Sequence, residues 1–76
     1  MKIPQPPPRP IQRLTPREQE ALIWLAAGKT SWEISVLFAI SEGAVNKMIA
    51  RAVEKLGAVN RTQAVVNAIR LGDIEI

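Results

Sequence analysis

Apolar residues recur at every third and fourth position between Ser41 and Leu56, which is the spacing of one face of an α-helix. Ser41 is a preferred N-cap residue, Glu42 places a negative charge in the first turn, and Gly57 supplies the left-handed residue that commonly ends a helix. The pattern therefore predicts a helix over residues 41–56. Its apolar face consists of Val45, Met48, Ile49, Ala52, Val53 and Leu56.

The opposite face of this helix is small, amide-bearing or basic. It consists of Glu42, Gly43, Asn46, Lys47, Ala50 and Arg51. Such a face is typical of a recognition helix in the major groove of DNA, because small side chains allow a close approach and amide or guanidinium groups bond to base edges. The solvated face of an ordinary amphipathic helix has the same pattern, so this helix alone leaves both interpretations open.

A capping box marks the start of an earlier helix. Thr15 and Glu18 have the spacing of the box, and Pro16 occupies the first helical position, where its missing N–H costs nothing. We expect this helix to run to Ala27 and to be closed by Gly28. Its inward face is predicted to consist of Ala21, Leu22, Trp24 and Leu25, with Ile23 on the outward side.

A second capping box, formed by Thr30 and Glu33, predicts a short helix that ends near Phe38. Only the short segment 39–41 then precedes the predicted recognition helix. Two helices joined by so tight a turn, with a longer second helix whose outer face is small and polar, form the pattern of a helix-turn-helix.

The residues of this turn carry more specific expectations. The short helix is predicted to bury Ile34, Ser35 and Phe38. Ser35 is small enough for close packing between the helices, and Ile40 is expected to be buried in the turn. Ala39 counts against the pattern, because such turns often place glycine at a left-handed position where alanine costs about 1 kcal/mol.

A fourth helix is predicted to begin after Asn60, with Gln63 completing an amide version of the capping box, and to run to Leu71 before Gly72. Its predicted inward residues are Ala64, Val65, Ala68 and Leu71, its outward residues are Val66 and Arg70, and Asn67 and Ile69 lie on its flanks. The sequence of the tail 73–76 predicts no secondary structure. Four helices without a strand pattern predict an all-α fold, a four-helix bundle with a central helix-turn-helix.

Composition narrows the function of this chain of 76 residues, which is long enough for one small domain. With no cysteine and no histidine, it has no disulfide framework, no ordinary zinc site and no candidate for the commonest general base, so we expect neither an enzyme nor a metal or other cofactor. Its apolar runs are far shorter than the ~20 residues of a membrane span, and no signal peptide is visible. We therefore expect a cytoplasmic protein, and its net charge of +3 permits a polyanionic partner.

The segment 1–13 contains five of the six prolines and is predicted to be a stiff, extended tether. Its PPPRP sequence also fits a ligand for an aromatic groove, although linkers between domains have the same composition. A tether ahead of a helical unit resembles the cut end of a longer polypeptide. The predicted organisation is a tether at 1–13, a DNA-binding domain at 14–72 and a tail at 73–76.

Four segments together resemble one known family. They are LTPREQEAL at 14–22, AAGKTSWEIS at 26–35, ISEGAVNKMIARAVEKLG at 40–57 and NRTQAVVNAI at 60–69. In this order and without a gap, they resemble the C-terminal DNA-binding domain of LuxR-type transcriptional regulators, and most closely the acyl-homoserine-lactone quorum-sensing branch. The resemblance implies a four-helix domain that dimerises through its last helix and binds an inverted-repeat promoter element.

The resemblance also assigns roles to individual residues. The positions that read bases in the family correspond to Asn46, Lys47 and Ala50. The family's backbone-contacting positions correspond to Lys29, Thr30, Ser31, Trp32, Asn60, Arg61 and Thr62. Arg51 is added to these predicted phosphate contacts because it is a basic residue on the outer face of the recognition helix. The dimer contact is predicted at Val66 and Arg70. Met48 stands where relatives commonly have histidine, so it is interpreted as a packing residue.

Two functional hypotheses follow. The first is sequence-specific binding to double-stranded DNA as a homodimer, with regulation of transcription in a quorum-sensing type system. The alternative is an interaction protein that pairs with full-length relatives and inhibits them. The polar and basic outer face of the predicted recognition helix favours the first hypothesis. The resemblance gives no small-molecule site or membrane contact in this chain.

An apolar patch is also predicted beside the DNA-facing surface. It centres on Ile23 and Val36, and it is a possible contact for RNA polymerase or for a sensory domain. The alternative interpretation is scattered surface, with Trp32 along the DNA backbone and Leu37 under the recognition helix.

Overall fold

The computed structural model describes residues 13–75, and this range contains helices and no strand. The helices are α1 (Pro16–Ala26), α2 (Ser31–Phe38), α3 (Glu42–Lys55) and α4 (Arg61–Arg70). α3 lies at the centre and packs against the other three, so the predicted all-α fold is confirmed. None of these helices is long and apolar enough to cross a membrane. Apart from Arg13, the predicted proline-rich tether lies outside the described residues.

Every predicted N-cap accepts a hydrogen bond from the backbone three residues later. The distances are 3.1 Å from Glu18 to Thr15, 3.1 Å from Glu33 to Thr30, 3.0 Å from Ala44 to Ser41 and 2.8 Å from Gln63 to Asn60. Both capping boxes are complete, because the Glu18 and Glu33 carboxylates accept from the backbone N–H of Thr15 and Thr30. The side chain of Gln63 differs from the prediction, since it accepts from the N–H of Val59 at 2.6 Å.

The turn between α2 and α3 has the left-handed conformation of a helix-turn-helix, although the residue at that position is alanine. Ala39 has φ 56° and ψ 42°, and the N–H of Ile40 donates to the carbonyl of Ser35 at 3.1 Å. Alanine is thus tolerated in a conformation that glycine adopts more easily. The expected burial of Ile40 is wrong, because this side chain is 37% exposed while the buried Phe38 and Val45 fill the core beside the turn.

Two apolar clusters form the core, one against the first half of α3 and the other against its second half. The first contains Ala21, Ile34, Phe38, Val45, Met48 and Ile49. The second contains Leu22, Ala52, Leu56, Ala64, Ala68 and Ile74. Leu25 and Val53 pack against both clusters, so the two halves of the core are continuous.

The structure corrects two expectations about the end of the chain. Ile74 lies in the predicted unstructured tail but is only 4% exposed, since Gln19 donates to the carbonyl of Asp73 at 3.1 Å and holds this segment against α1. Asn67, expected on the flank of α4, is buried and donates to the carbonyl of Leu56 at 3.1 Å. This bond satisfies a carbonyl at the end of α3, where the helix offers no partner of its own.

A buried carboxylate joins α1 to α3. Glu18 is 2% exposed, and its Oε1 accepts from the N–H of Thr15 and from Lys55 Nζ, each at 2.9 Å. Its Oε2 lies 3.6 Å from Arg51 Nε, and Lys55 Nζ also donates to the carbonyl of Arg13 at 3.2 Å. Burial by itself raises the pKa of Glu18, but the hydrogen bonds from Lys55 and Thr15 and the charges of Lys55 and Arg51 outweigh it, so the pKa lies below the usual 4.5.

Replacing Glu18 by Gln keeps an oxygen for the Thr15 N–H but removes the charge that faces Lys55. We expect the free energy of unfolding to fall by about 1.5–3 kcal/mol, because hydrogen bonds to charged groups contribute that much. Urea unfolding followed by circular dichroism measures the change. The matched control is Glu20→Gln, which breaks an exposed 3.5 Å pair with Arg17 and should cost no more than about 0.5 kcal/mol. Equal losses in the two variants would contradict the assignment.

The same group predicts a pH dependence of stability. Since the pKa of Glu18 is lower in the folded state than in the unfolded chain, its contribution is complete above pH 4.5 and is lost as the pH falls through the folded-state pKa. The difference in unfolding free energy between the parent protein and Glu18→Gln should therefore shrink below pH 4.5. A difference that stays constant down to the acid transition would contradict this linkage.

The strained alanine predicts a stabilising substitution. Ala39→Gly should raise the unfolding free energy by up to about 1 kcal/mol, because glycine adopts the left-handed conformation without a Cβ clash. Ala27→Gly is the matched control: this residue caps α1 with φ −78°, so the same change should destabilise by about 0.5–1 kcal/mol. Thermal unfolding should show a higher stability than the parent protein for Ala39→Gly and a lower one for Ala27→Gly. Destabilisation by Ala39→Gly would show that the turn is not strained.

Candidate nucleic-acid interface

The outer face of α3 presents the residues predicted to read bases. Asn46, Lys47 and Ala50 are all exposed, while Met48 and Ile49 between them are buried. Because the apolar stripe is fixed in the core, the opposite stripe points away from the protein. The exposed amide and ammonium group on this face can bond to base edges. The small side chain beside them allows a close approach in the major groove.

The first turn of α2 and the residue before its cap carry further predicted DNA contacts. Trp32 is 61% exposed, and Lys29 Nζ lies 3.9 Å from Glu33 Oε2. Hydrogen bonds from the backbone N–H and the hydroxyl of Thr30 lower the pKa of Glu33, so its negative charge offsets part of the Lys29 charge. The Thr30 Oγ1 also accepts from the Glu33 N–H as the helix cap, so its hydroxyl hydrogen reaches a phosphate only by leaving the Glu33 carboxylate. Ser31, another predicted phosphate contact, is buried.

The first turn of α4 completes the surface. Asn60, Arg61 and Thr62 are exposed, and Arg61 Nη1 donates to the hydroxyl of Ser31 at 2.8 Å. This bond brings the starts of α2 and α4 together, although the residues are far apart in sequence. Helix N-termini carry unpaired N–H groups and a positive partial charge, so two of them side by side favour the phosphates of a DNA backbone.

Arg51 differs from the other predicted phosphate contacts. Its guanidinium group is partly engaged inside the protein, since its Nε lies 3.6 Å from the buried Glu18 carboxylate, and its side chain is 58% exposed. The sequence did not reveal this pairing, because Glu18 was interpreted only as part of a capping box. The one available signal was the spacing of Arg51 and Lys55 on one side of α3, which suits a shared anionic partner.

The remaining predicted sites lie on two other surfaces. Val66 is 40% exposed, and it lines a shallow groove along α4 together with Arg70 and Val59. Val36 is 60% exposed and lines a second shallow groove, where α1 meets α2. This second groove also includes Trp24, Lys29, Trp32, Glu33 and Leu37.

The apolar patch differs from the prediction in two respects. Ile23 is 41% exposed, but it is not among the residues that line the groove with Val36. Leu37 is 52% exposed, so the alternative that places it under the recognition helix is wrong. The buried Ile34 and Phe38 occupy the core side of α2 instead.

These features define a class of protein. A central helix-turn-helix, an exposed polar and basic face on its second helix, and two adjoining helix N-termini make this a helix-turn-helix DNA-binding domain. Over residues 13–75 no group of His, Cys, Asp and Glu side chains is arranged to hold a metal ion.

The family follows from comparison with known proteins. The family of bacterial regulatory proteins called the luxR family matches residues 12–68, and the chain belongs to it. The chain is 52% identical over 71 residues to the HTH-type quorum sensing-dependent transcriptional regulator RpaR of Rhodopseudomonas palustris, covering 91% of this chain and 29% of RpaR. It is 48% identical over 66 residues to the transcriptional activator protein BjaR1 of Bradyrhizobium diazoefficiens, covering 87% of this chain and 27% of BjaR1.

A solved structure confirms the likeness of fold. The structure of the transcription factor GerE superimposes with a TM-score of 0.78 at 35% sequence identity, over 82% of this chain and 92% of that chain. The fold and the family that the sequence predicted are therefore confirmed. The chain spans less than a third of the length of RpaR and BjaR1.

The site geometry predicts two different losses of DNA binding. Asn46→Ala should weaken binding to the preferred sequence by about 1–3 kcal/mol and relax the preference at one base pair, because a bidentate amide is removed. Arg61→Ala should weaken all sequences alike and flatten the slope of log K against log salt by about one unit. Fluorescence anisotropy with preferred and shuffled duplexes at several salt concentrations separates the two effects. If Asn46→Ala leaves sequence preference unchanged, Asn46 does not read a base.

Proposed function

We propose that this chain regulates transcription in a quorum-sensing type system by placing α3 in the major groove of double-stranded DNA. The observation that carries the proposal is the exposed stripe of Asn46, Lys47 and Ala50 on α3, in a domain that also joins the N-termini of α2 and α4. The relatives support the quorum-sensing part of this proposal, since RpaR is called a quorum sensing-dependent transcriptional regulator. A regulator of this kind acts where the chromosome is, in the bacterial cytoplasm.

The proposed role of each residue on this surface follows from the chemistry of its side chain. Asn46 and Lys47 read base edges, and Ala50 gives apolar contact to a thymine methyl group. Lys29, the Thr30 hydroxyl, Trp32 and the first turn of α4 hold the backbone and fix the register of α3 in the groove. Arg51 adds a weaker phosphate contact, because Glu18 already neutralises part of its charge.

The same proposal includes pairing of two copies on an inverted repeat. The outer face of α4 around Val66 and Arg70 is the contact between the copies. A single turn or two of one helix offers far less than the ~1,000 Å² of a stable interface, so the free chain is a monomer and pairs when two half-sites hold it in place. The half-sites are then separated by about one helical turn of DNA, which places both α3 helices on the same side of the duplex.

The apolar surface around Ile23 and Val36 is proposed as a contact for a second protein of the transcription apparatus, with RNA polymerase the first candidate. Its support is the exposure of both side chains, together with the groove in which Val36 lies beside Trp32 and Leu37. Exposed apolar side chains that group on a small domain commonly mark a protein contact.

Spacing of half-sites provides the test of this function. An inverted repeat with half-sites one helical turn apart should bind two chains cooperatively, and insertion of about five base pairs should abolish the cooperativity while each half-site still binds one chain. Gel shifts measure occupancy, and analytical ultracentrifugation at micromolar concentration should show a monomer without DNA. Failure of the chain to bind any duplex in a salt-dependent way would contradict the proposed function and favour the alternative of an inhibitory interaction protein.

A further inference from the structure

The hydrogen bond between Arg61 and Ser31 connects two helices that are distant in sequence. It joins the first residue of α4 to the first residue of α2, and these two helices do not otherwise pack against each other in the described part of the chain. The bond is therefore the direct link between the two helix N-termini that carry most of the predicted phosphate contacts.

The two partners differ in their access to DNA. Ser31 is buried, and its hydroxyl oxygen accepts from the Arg61 guanidinium, so it is poorly placed to meet a phosphate itself. Arg61 is exposed, and a guanidinium group has five N–H donors, of which this bond uses one. The remaining donors can bond to a phosphate at the junction of α2 and α4.

Arginine side chains lose considerable conformational entropy when they are fixed, and a guanidinium group bonds well to phosphate only in the correct orientation. A buried acceptor at 2.8 Å reduces this loss in advance, because it holds the side chain before DNA arrives. Arg61 also lines a surface groove together with Leu25 and Ala26 at the end of α1.

We propose that Ser31 is a positioning residue that orients the Arg61 guanidinium toward the DNA backbone, and that it makes no phosphate contact of its own. This inference rests on the proposed DNA binding and replaces the direct phosphate contact that the sequence assigned to Ser31. It makes the effect of Ser31 on DNA binding depend on Arg61.

The experiment is a double-mutant cycle with the whole chain, in which anisotropy measures affinity for the preferred duplex at several salt concentrations. Ser31→Ala should weaken binding about three- to tenfold when Arg61 is present and less than about twofold in the Arg61→Ala background. Its slope of log K against log salt should also flatten toward that of Arg61→Ala, although serine carries no charge. Ser31→Thr keeps the hydroxyl and should restore both affinity and slope.

Three outcomes would overturn the inference while leaving the proposed function intact. They are equal Ser31→Ala losses with and without Arg61, a loss without change of salt slope, and no loss at all. The first two would show that Ser31 contacts DNA directly or acts through general stability. Circular dichroism and thermal unfolding of each variant identify a folding defect. If Ser31→Ala does not fold, Ser31→Thr tests the inference in a folded chain, because it keeps the hydroxyl that accepts from Arg61. Absence of salt-dependent binding by the parent protein would instead contradict the proposed function.

Discussion

The orientation of the recognition helix depends on one buried carboxylate. Glu18 closes the first turn of α1 through Thr15 and accepts from Lys55 on α3, with Arg51 nearby. A buried charge is costly to leave unpaired, so α1 and α3 must meet in the one register that supplies these partners. Burial of the apolar stripe decides which side of α3 faces outward, but apolar packing alone tolerates small rotations of a helix, and this cluster restricts them.

The outward face of α3 and its place in the core are consequences of the same sequence pattern. Val45, Ile49 and Ala52 are buried against the other helices, which leaves Asn46 and Lys47 exposed. The left-handed turn at Ala39 then sets α2 beside the start of α3. The helix that contacts every other helix is also the helix proposed to read DNA, so small changes in core packing would alter the presentation of its polar side chains.

Local signals predicted the fold well, because helix starts depend on side chains within a few residues of the N-cap. The caps at Thr15, Thr30, Ser41 and Asn60 and the apolar face of α3 were all readable from spacing. What the sequence did not show depends on contacts between distant segments. These features are the burial of Glu18 and Ile74, the exposure of Ile40, and the bond between Ser31 and Arg61. The base-reading role of Asn46 came from the family resemblance together with the polar face, and it stays a prediction.

The most direct test of the account is whether α3 distinguishes a preferred DNA sequence from a shuffled one. Nuclear magnetic resonance of the ¹⁵N-labelled chain, titrated with each duplex, reports on every residue at once. The account predicts that signals of Asn46, including its side-chain amide, and of Lys47 shift with the preferred duplex only, while Arg61 shifts with both. Signals of Asn46 and Lys47 that stay unchanged, or that shift equally with both duplexes, would contradict it.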